Sequence, residues 1–200
     1  MNLKSHIILA NYISDILEDQ IDIKIERDML ELGAVYPDCN LKKRVRIHNI
    51  KQVYHNYELQ SENIINKNKN KWGVSFTLGM LSHYVCDSFC LAHNKRMRSI
   101  GDFKKHVRYE NGLAEYIYDY QLKNDVREKV QDNFFTSLNF DIYNFLGTKH
   151  SSYLNMENRD YQKQFVTDVE HAISYSVIVL CGFIFELEKA DCPAVEVLHV

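Results

Sequence analysis

LGMLSHYVCDSFCLAHN, residues 78–94, is the stretch on which the fold and its chemistry turn. Residues 73–91 are apolar nearly all round, with Phe76, Leu78, Met80, Leu81, Tyr84, Val85 and Phe89, which predicts the most buried helix of the protein. Gly79, one turn before His83, would let a second helix approach closely. His83 and Asp87 are four residues apart, so both project from the same helical face. His93 follows six residues later, where the helical pattern breaks. KKHVRYE, residues 104–110, repeats the four-residue spacing at His106 and Glu110 on the next helix. Two such pairs could face each other across a bundle.

A lone His on an apolar helix is usually a core histidine with its ring satisfied by a neighbour. Two pairs and an intervening His are a different matter. Burying five such groups among Phe, Leu and Tyr is costly without a cation to pair them. Imidazole and carboxylate without thiolates suit Zn²⁺ in hydrolytic sites.

The rest of the chain fits around that centre. With 200 residues, 46% apolar and 26% charged, it reads as one globular domain, 1–200, with ample core. Seven Gly and two Pro argue against a β-rich fold, and the expected architecture is an all-α helical bundle. A formal charge of −3 excludes a strongly basic nucleic-acid footprint over the whole molecule. Five Cys without framework spacing fit a reducing compartment, with Cys86 and Cys90 as core fillers.

The first twenty residues, MNLKSHIILANYISDILEDQ, are broken by Asn11, Ser14 and Asp15 and carry no cleavage site, so a cytoplasmic protein is expected. They read as an amphipathic helix capped by Ser5, with His6 on the face of Leu9, Ala10 and Ile13. Residues 23–34 predict a second helix ending at Gly33, and Pro37 then presents Asp38 on a loop. Between Asp38 and His48 runs LKKRVR, to which a phosphate could be drawn. Lys95, Arg96, Arg98, Lys104, Lys105 and Arg108 form a second positive collar, again favouring an anionic substrate.

A polar helix is expected over 48–67, and further helices over 113–123, 126–146 and 159–189. VIVLCGFIF, residues 177–185, is too short to span a bilayer and reads as core. His55 has no partner at useful spacing, and His150, His171 and His199 read as structural or exposed.

His6, Asp38, His48, His83, Asp87, His93, His106 and Glu110 resemble, in order and type, the ligand set of the zinc-dependent phospholipase C family. The closest matches are the Pro37–Asp38 pair, His83-x-x-x-Asp87 followed by His93, and His106-x-x-x-Glu110. The stretch 78–94 looks like the short clostridial-type members. The resemblance implies an all-α fold with zinc as cofactor: His48, His83, Asp38 and Asp87 at one ion, His93, His106 and Glu110 at a second, and His6 with Asp87 at a third. It also implies phosphodiester hydrolysis by a metal-bridging hydroxide, with Asp38 orienting or deprotonating the attacking water.

Secreted relatives use their N-terminal residue, usually Trp, as a ligand of the third zinc about a dozen residues before the histidine. Here five residues precede His6, and the Met1 α-amine is the expected replacement if residues 1–5 curl back. A phospholipid substrate with peripheral membrane contact and no transmembrane segment follows from the same resemblance. Tyr36, Phe89 and Leu91 are the expected apolar mouth. The alternatives are a nuclease or other small phosphoesterase on the same fold, with nucleic acid as partner, or a metal-containing binding protein without turnover.

Overall fold

The structure is a computed structural model that describes residues 1–21, 23–40, 49–67, 70–95, 97–134 and 141–190. His48, the basic run Lys42–Arg46, Arg96 and His199 lie outside the described residues. The described residues are helical, with no strand among them. The helices are α1 (Leu3–Ile21), α2 (Arg27–Cys39), α3 (Ile50–Lys67), α4 (Lys71–Ser88), the single turn α5 (Leu91–Asn94), α6 (Ile100–Asp119), α7 (Asn124–Phe134), α8 (Ile142–Asn155) and α9 (Tyr161–Lys189).

Helix α4 is the centre, as its all-round apolar pattern predicts. It starts two residues earlier than the periodicity suggests for residues 73–91, because Asn70 Oδ1 accepts from the Gly73 N–H at 3.1 Å. Every residue from Thr77 to Ser88 is buried. Its hydroxyls survive burial by bonding back to their own helix: Thr77 to Gly73 O, Ser82 to Gly79 O and Ser88 to Tyr84 O. Helices α2, α3 and α9 pack on it. Helix α9 is long and apolar enough to cross a membrane by length and composition, more than the nine residues 177–185 suggest, yet 89% of its apolar window is buried inside the fold.

Several local expectations are corrected. Helix α1 is capped by Asn2, whose Oδ1 accepts from both the N–H and the hydroxyl of Ser5, so Ser5 sits in the first turn. Helix α2 does not end at Gly33. It runs through Pro37 to Cys39, which puts Asp38 on its last turn and not on a loop. Proline costs one ladder bond there, and the packing of α2 on α4 outweighs it. The helix expected at 113–123 already begins at Ile100, where Ser99 Oγ accepts from the Asp102 N–H. The one expected at 126–146 divides in two, with Asp141 capping α8.

Helices α2 and α4 cross backbone to backbone. A Cβ on Gly33 would lie 2.0 Å from Phe76 O, and one on Gly79 would lie 1.9 Å from Leu30 O. Both obstacles are backbone atoms, so a methyl group can be accommodated only by moving the helices apart. Gly79→Ala is therefore expected to destabilise the protein by about 2 kcal/mol or more in urea denaturation, at unchanged helix content in the folded baseline.

Candidate metal centre

Four helices and the chain's first residue meet around Asp87, which is fully buried on α4. Its Oδ2 lies 3.3 Å from His83 Nε2, one turn back. Its Oδ1 faces His6 Nε2 of α1 at 3.3 Å, His93 Nε2 of α5 at 3.4 Å and the Met1 α-amine at 2.5 Å. Beyond them, Glu110 Oε1 of α6 lies 3.0 Å from His93 Nε2 and 3.5 Å from His106 Nε2. Two groups of donor atoms result, each within 4.8 Å of one another: His6, His83 and Asp87, buried, and His93, His106 and Glu110, half-buried. Asp87 joins them. Asp38 stands at the rim of the first group, its carboxylate 3.9 Å from His83 Nε2 and 22% exposed.

Backbone carbonyls aim the rings. His83 Nδ1 donates to Ala34 O of α2 at 2.7 Å, and His106 Nδ1 donates to Ala92 O of α5 at 3.1 Å. In a neutral ring this leaves Nε2 as a lone pair pointed at a carboxylate oxygen. Lone pairs facing carboxylates repel unless a cation or proton lies between them, and a backbone carbonyl fixing the far nitrogen is the usual support of a metal-bound histidine. His6 makes the same case more sharply. It stacks on His83 with ring centroids 3.9 Å apart, and both of its buried nitrogens lack a hydrogen-bond partner. Such orphaned buried nitrogens cost free energy unless a ligand occupies them.

The electrostatics agree. Burial and the adjacent His83 push His6 down to about 3, so its ring is neutral and able to donate a lone pair. Burial alone would raise the Asp87 carboxyl, but the surrounding rings and the α-amine hold it well below the usual carboxylate range. Glu110 is likewise held below its usual value, against burial, by His106 and His93. Burial opposes charge on the Met1 amine, but Asp87 and Glu110 push it up to about 12. The ammonium lies 2.6 Å from His93 Nε2 and 3.0 Å from Glu110 Oε1, so positive charge already stands between the two groups. The donor set is imidazole and carboxylate. Burial pushes the Cys86 thiol up to about 12 and Cys90 well above its ordinary value, which keeps both protonated and unsuited as ligands.

Of the expected apolar mouth, Leu91 lines a cavity beside the centre, and Phe89 and Tyr36 are turned elsewhere. Phe89 is fully buried, tilted against Tyr175 and edge-on to Tyr153. Tyr36 is half-buried against Phe76 and accepts from the Asn40 side chain. Leu91 is buried but lines a cavity of about 380 Å³ beside His106, with Lys95, Met97, Lys105, Tyr109 and Tyr161. His150 and His171 stand apart from the cluster. His150 bonds Ser88 O and Asn94 Oδ1, and His171 bonds Thr167 O.

One residue escapes the sequence reading. Asp168 of α9 is fully buried and accepts four hydrogen bonds, from the Leu91 N–H at 3.0 Å, Tyr109 Oη at 2.7 Å, Tyr153 Oη at 2.8 Å and Gln164 Nε2 at 2.7 Å. It thereby caps α5 two residues before His93 and holds α6 beside Glu110. The only signal in the sequence is an acidic residue on the apolar face of Phe165, Val169 and Ala172.

The family model described as zinc dependent phospholipase C matches residues 5–160, and the chain belongs to that family. No curated protein and no solved structure matches it.

If these groups hold zinc, His83→Ala and Asp87→Ala lose bound metal by elemental analysis and unfold at lower temperature. His171→Ala, at a ring packed on Phe89, also lowers the melting temperature but keeps the full metal content. Loss of metal in all three would contradict the placement.

Proposed function

We propose that this member of the zinc-dependent phospholipase C family is a phosphodiester hydrolase acting on phospholipid. Zinc would be held by His6, His83 and Asp87 and by His93, His106 and Glu110, with His48 joining the first group. The observation that carries this reading is Asp87, buried and shared between the two groups, beside a His6 whose ring nitrogens make no hydrogen bond. Zinc bound there supplies Lewis acidity towards the phosphate oxygens and brings the pKa of a water towards neutrality.

The chain's own residues do the rest. Asp38 is the rim carboxylate, close to His83 yet partly open to solvent, and it is suited to orient the attacking water and take its proton. Lys105, lining the cavity beside His106, supplies a positive edge for the phosphate or its head group. Leu91, Met97 and Tyr161 give the same cavity an apolar wall. No side chain need form a covalent bond to phosphorus.

Zinc-replete protein is expected to carry at least two zinc ions per chain, because six described ligands and His48 suffice for two sites. It should hydrolyse a chromogenic p-nitrophenyl phosphodiester and phosphatidylcholine micelles. Asp38→Asn should lower kcat by about 10²-fold or more with zinc retained. Cleavage of single-stranded DNA with intact phosphatidylcholine would move the assignment to a nuclease on the same fold. Full zinc without turnover of any diester would leave a metal-binding protein.

The Met1 ammonium, within 2.6 Å of both Asp87 Oδ1 and His93 Nε2, stands where a cation would sit beside His6, and it would join the ligand set only by giving up its proton as zinc enters. A short extension ahead of Met1 is then expected to reduce zinc content and turnover together. A tagged protein with unaltered zinc and rate would remove the amine from the site.

A further inference from the structure

Helix α6 turns one side to the metal centre and a second, uncovered side to solvent. Tyr109, Leu113 and Ile117 are buried, and His106 and Glu110 lie along the edge of that inner face. Helical spacing sets Ile100, Phe103, Val107 and Tyr118 on a strip immediately beyond this ligand edge. All four are exposed, Ile100 to 78% and Phe103 to 57%. Lys104 and Arg108 follow on the far side of the strip's first half, also exposed, and neither closes a salt bridge with a described residue, while Glu115 and Asp119 make the last turns of that side acidic. The start of α1 joins the same surface: Lys4 Nζ sits 4.1 Å over the Tyr118 ring, and Leu3 beside it is 44% exposed.

Over its first half, Ile100 to Arg108, the exposed apolar strip is bordered on its far side by basic residues, and such a patch marks an interaction surface. The occupant follows from its chemistry. Ile100 and Val107 offer no ring for a base to stack on, which disfavours single-stranded nucleic acid. Aliphatic and aromatic side chains bordered by Lys and Arg are the composition of a helix that lies in a lipid interface.

We propose that the outer face of α6 seats the protein on an anionic lipid surface, with Ile100, Phe103 and Val107 entering the head-group region and Lys104 and Arg108 on lipid phosphates. The proposal rests on the phospholipase reading for its purpose: the strip borders His106 and Glu110, so docking delivers head groups to the metal centre.

The test is co-sedimentation of the full-length protein with vesicles of phosphatidylcholine, with and without phosphatidylglycerol, alongside hydrolysis of the water-soluble chromogenic diester. The protein is expected to bind the phosphatidylglycerol vesicles more tightly than phosphatidylcholine alone, and less so as salt rises. Ile100→Ser with Phe103→Ser should weaken vesicle binding about tenfold or more, while the melting temperature and soluble-diester turnover hold. Lys104→Glu with Arg108→Glu should erase the preference for phosphatidylglycerol. Vesicle binding equal to the parent in both variants would overturn the proposal. So would a parent dimer, or parent single-stranded DNA binding, that the Ile100 and Phe103 changes abolish in place of vesicle binding. Parent protein that binds vesicles but leaves the soluble diester intact would count against the catalytic reading and leave this surface standing.

Discussion

A carboxylate at zero exposure is the constraint around which the molecule is arranged. Asp87 lies on a helix, shut off from bulk solvent, and an ionised group in that position must be compensated by positive charge and hydrogen bonds or the fold loses several kcal/mol. Compensation comes from two other parts of the chain, His6 and the α-amine from the start and His93 from the turn after α4, while Glu110 on α6 adds a second negative charge that shares the same ammonium and His93. Two acids and four imidazoles gathered around one buried point make a candidate site for a divalent cation. Zinc bound there would couple metal binding to folding, as the proposed function requires of this member of a zinc-dependent family.

Two further devices keep that point in register. The glycine crossing of α2 and α4 brings the Ala34 carbonyl close enough to hold His83, and carries Asp38 to the rim on the next turn of the same helix. Asp168, the second buried carboxylate, ties the short α5 and the middle of α6 to α9, so His93 and Glu110 stand on elements fixed from behind. The first device is made of missing side chains, the second of a saturated hydrogen-bond acceptor. Both act by limiting how far the ligand-bearing helices can drift.

Much of this was legible in the sequence, for physical reasons. Four-residue spacing puts His83 with Asp87, and His106 with Glu110, on shared faces whatever the tertiary structure, and an all-round apolar helix has nowhere to go but the centre. Gly79 announced a close crossing. What failed depended on tertiary context. Pro37 argues locally against helix, and only the packing of α2 on α4 carries the helix past it. Phe89 adjoins the ligands in sequence, but the break after Ser88 turns its ring into the aromatic cluster with Tyr153 and Tyr175. Asp168 could not be distinguished from an ordinary helix-surface acid without knowing that Tyr109, Tyr153 and the α5 amide converge on it. The basic run and His48 fall outside the described residues, so their expected part in the site rests on the sequence alone.

The central claim is that cations belong between these side chains. Anomalous diffraction at the zinc edge from crystals grown with zinc tests it at atomic resolution. The account predicts one peak among His6, His83 and Asp87 and another among His93, His106 and Glu110, with the Met1 amine displaced from its salt bridges or bound to metal. A zinc-replete crystal with no peak at either position, and the ammonium still on Asp87 and Glu110, would contradict it.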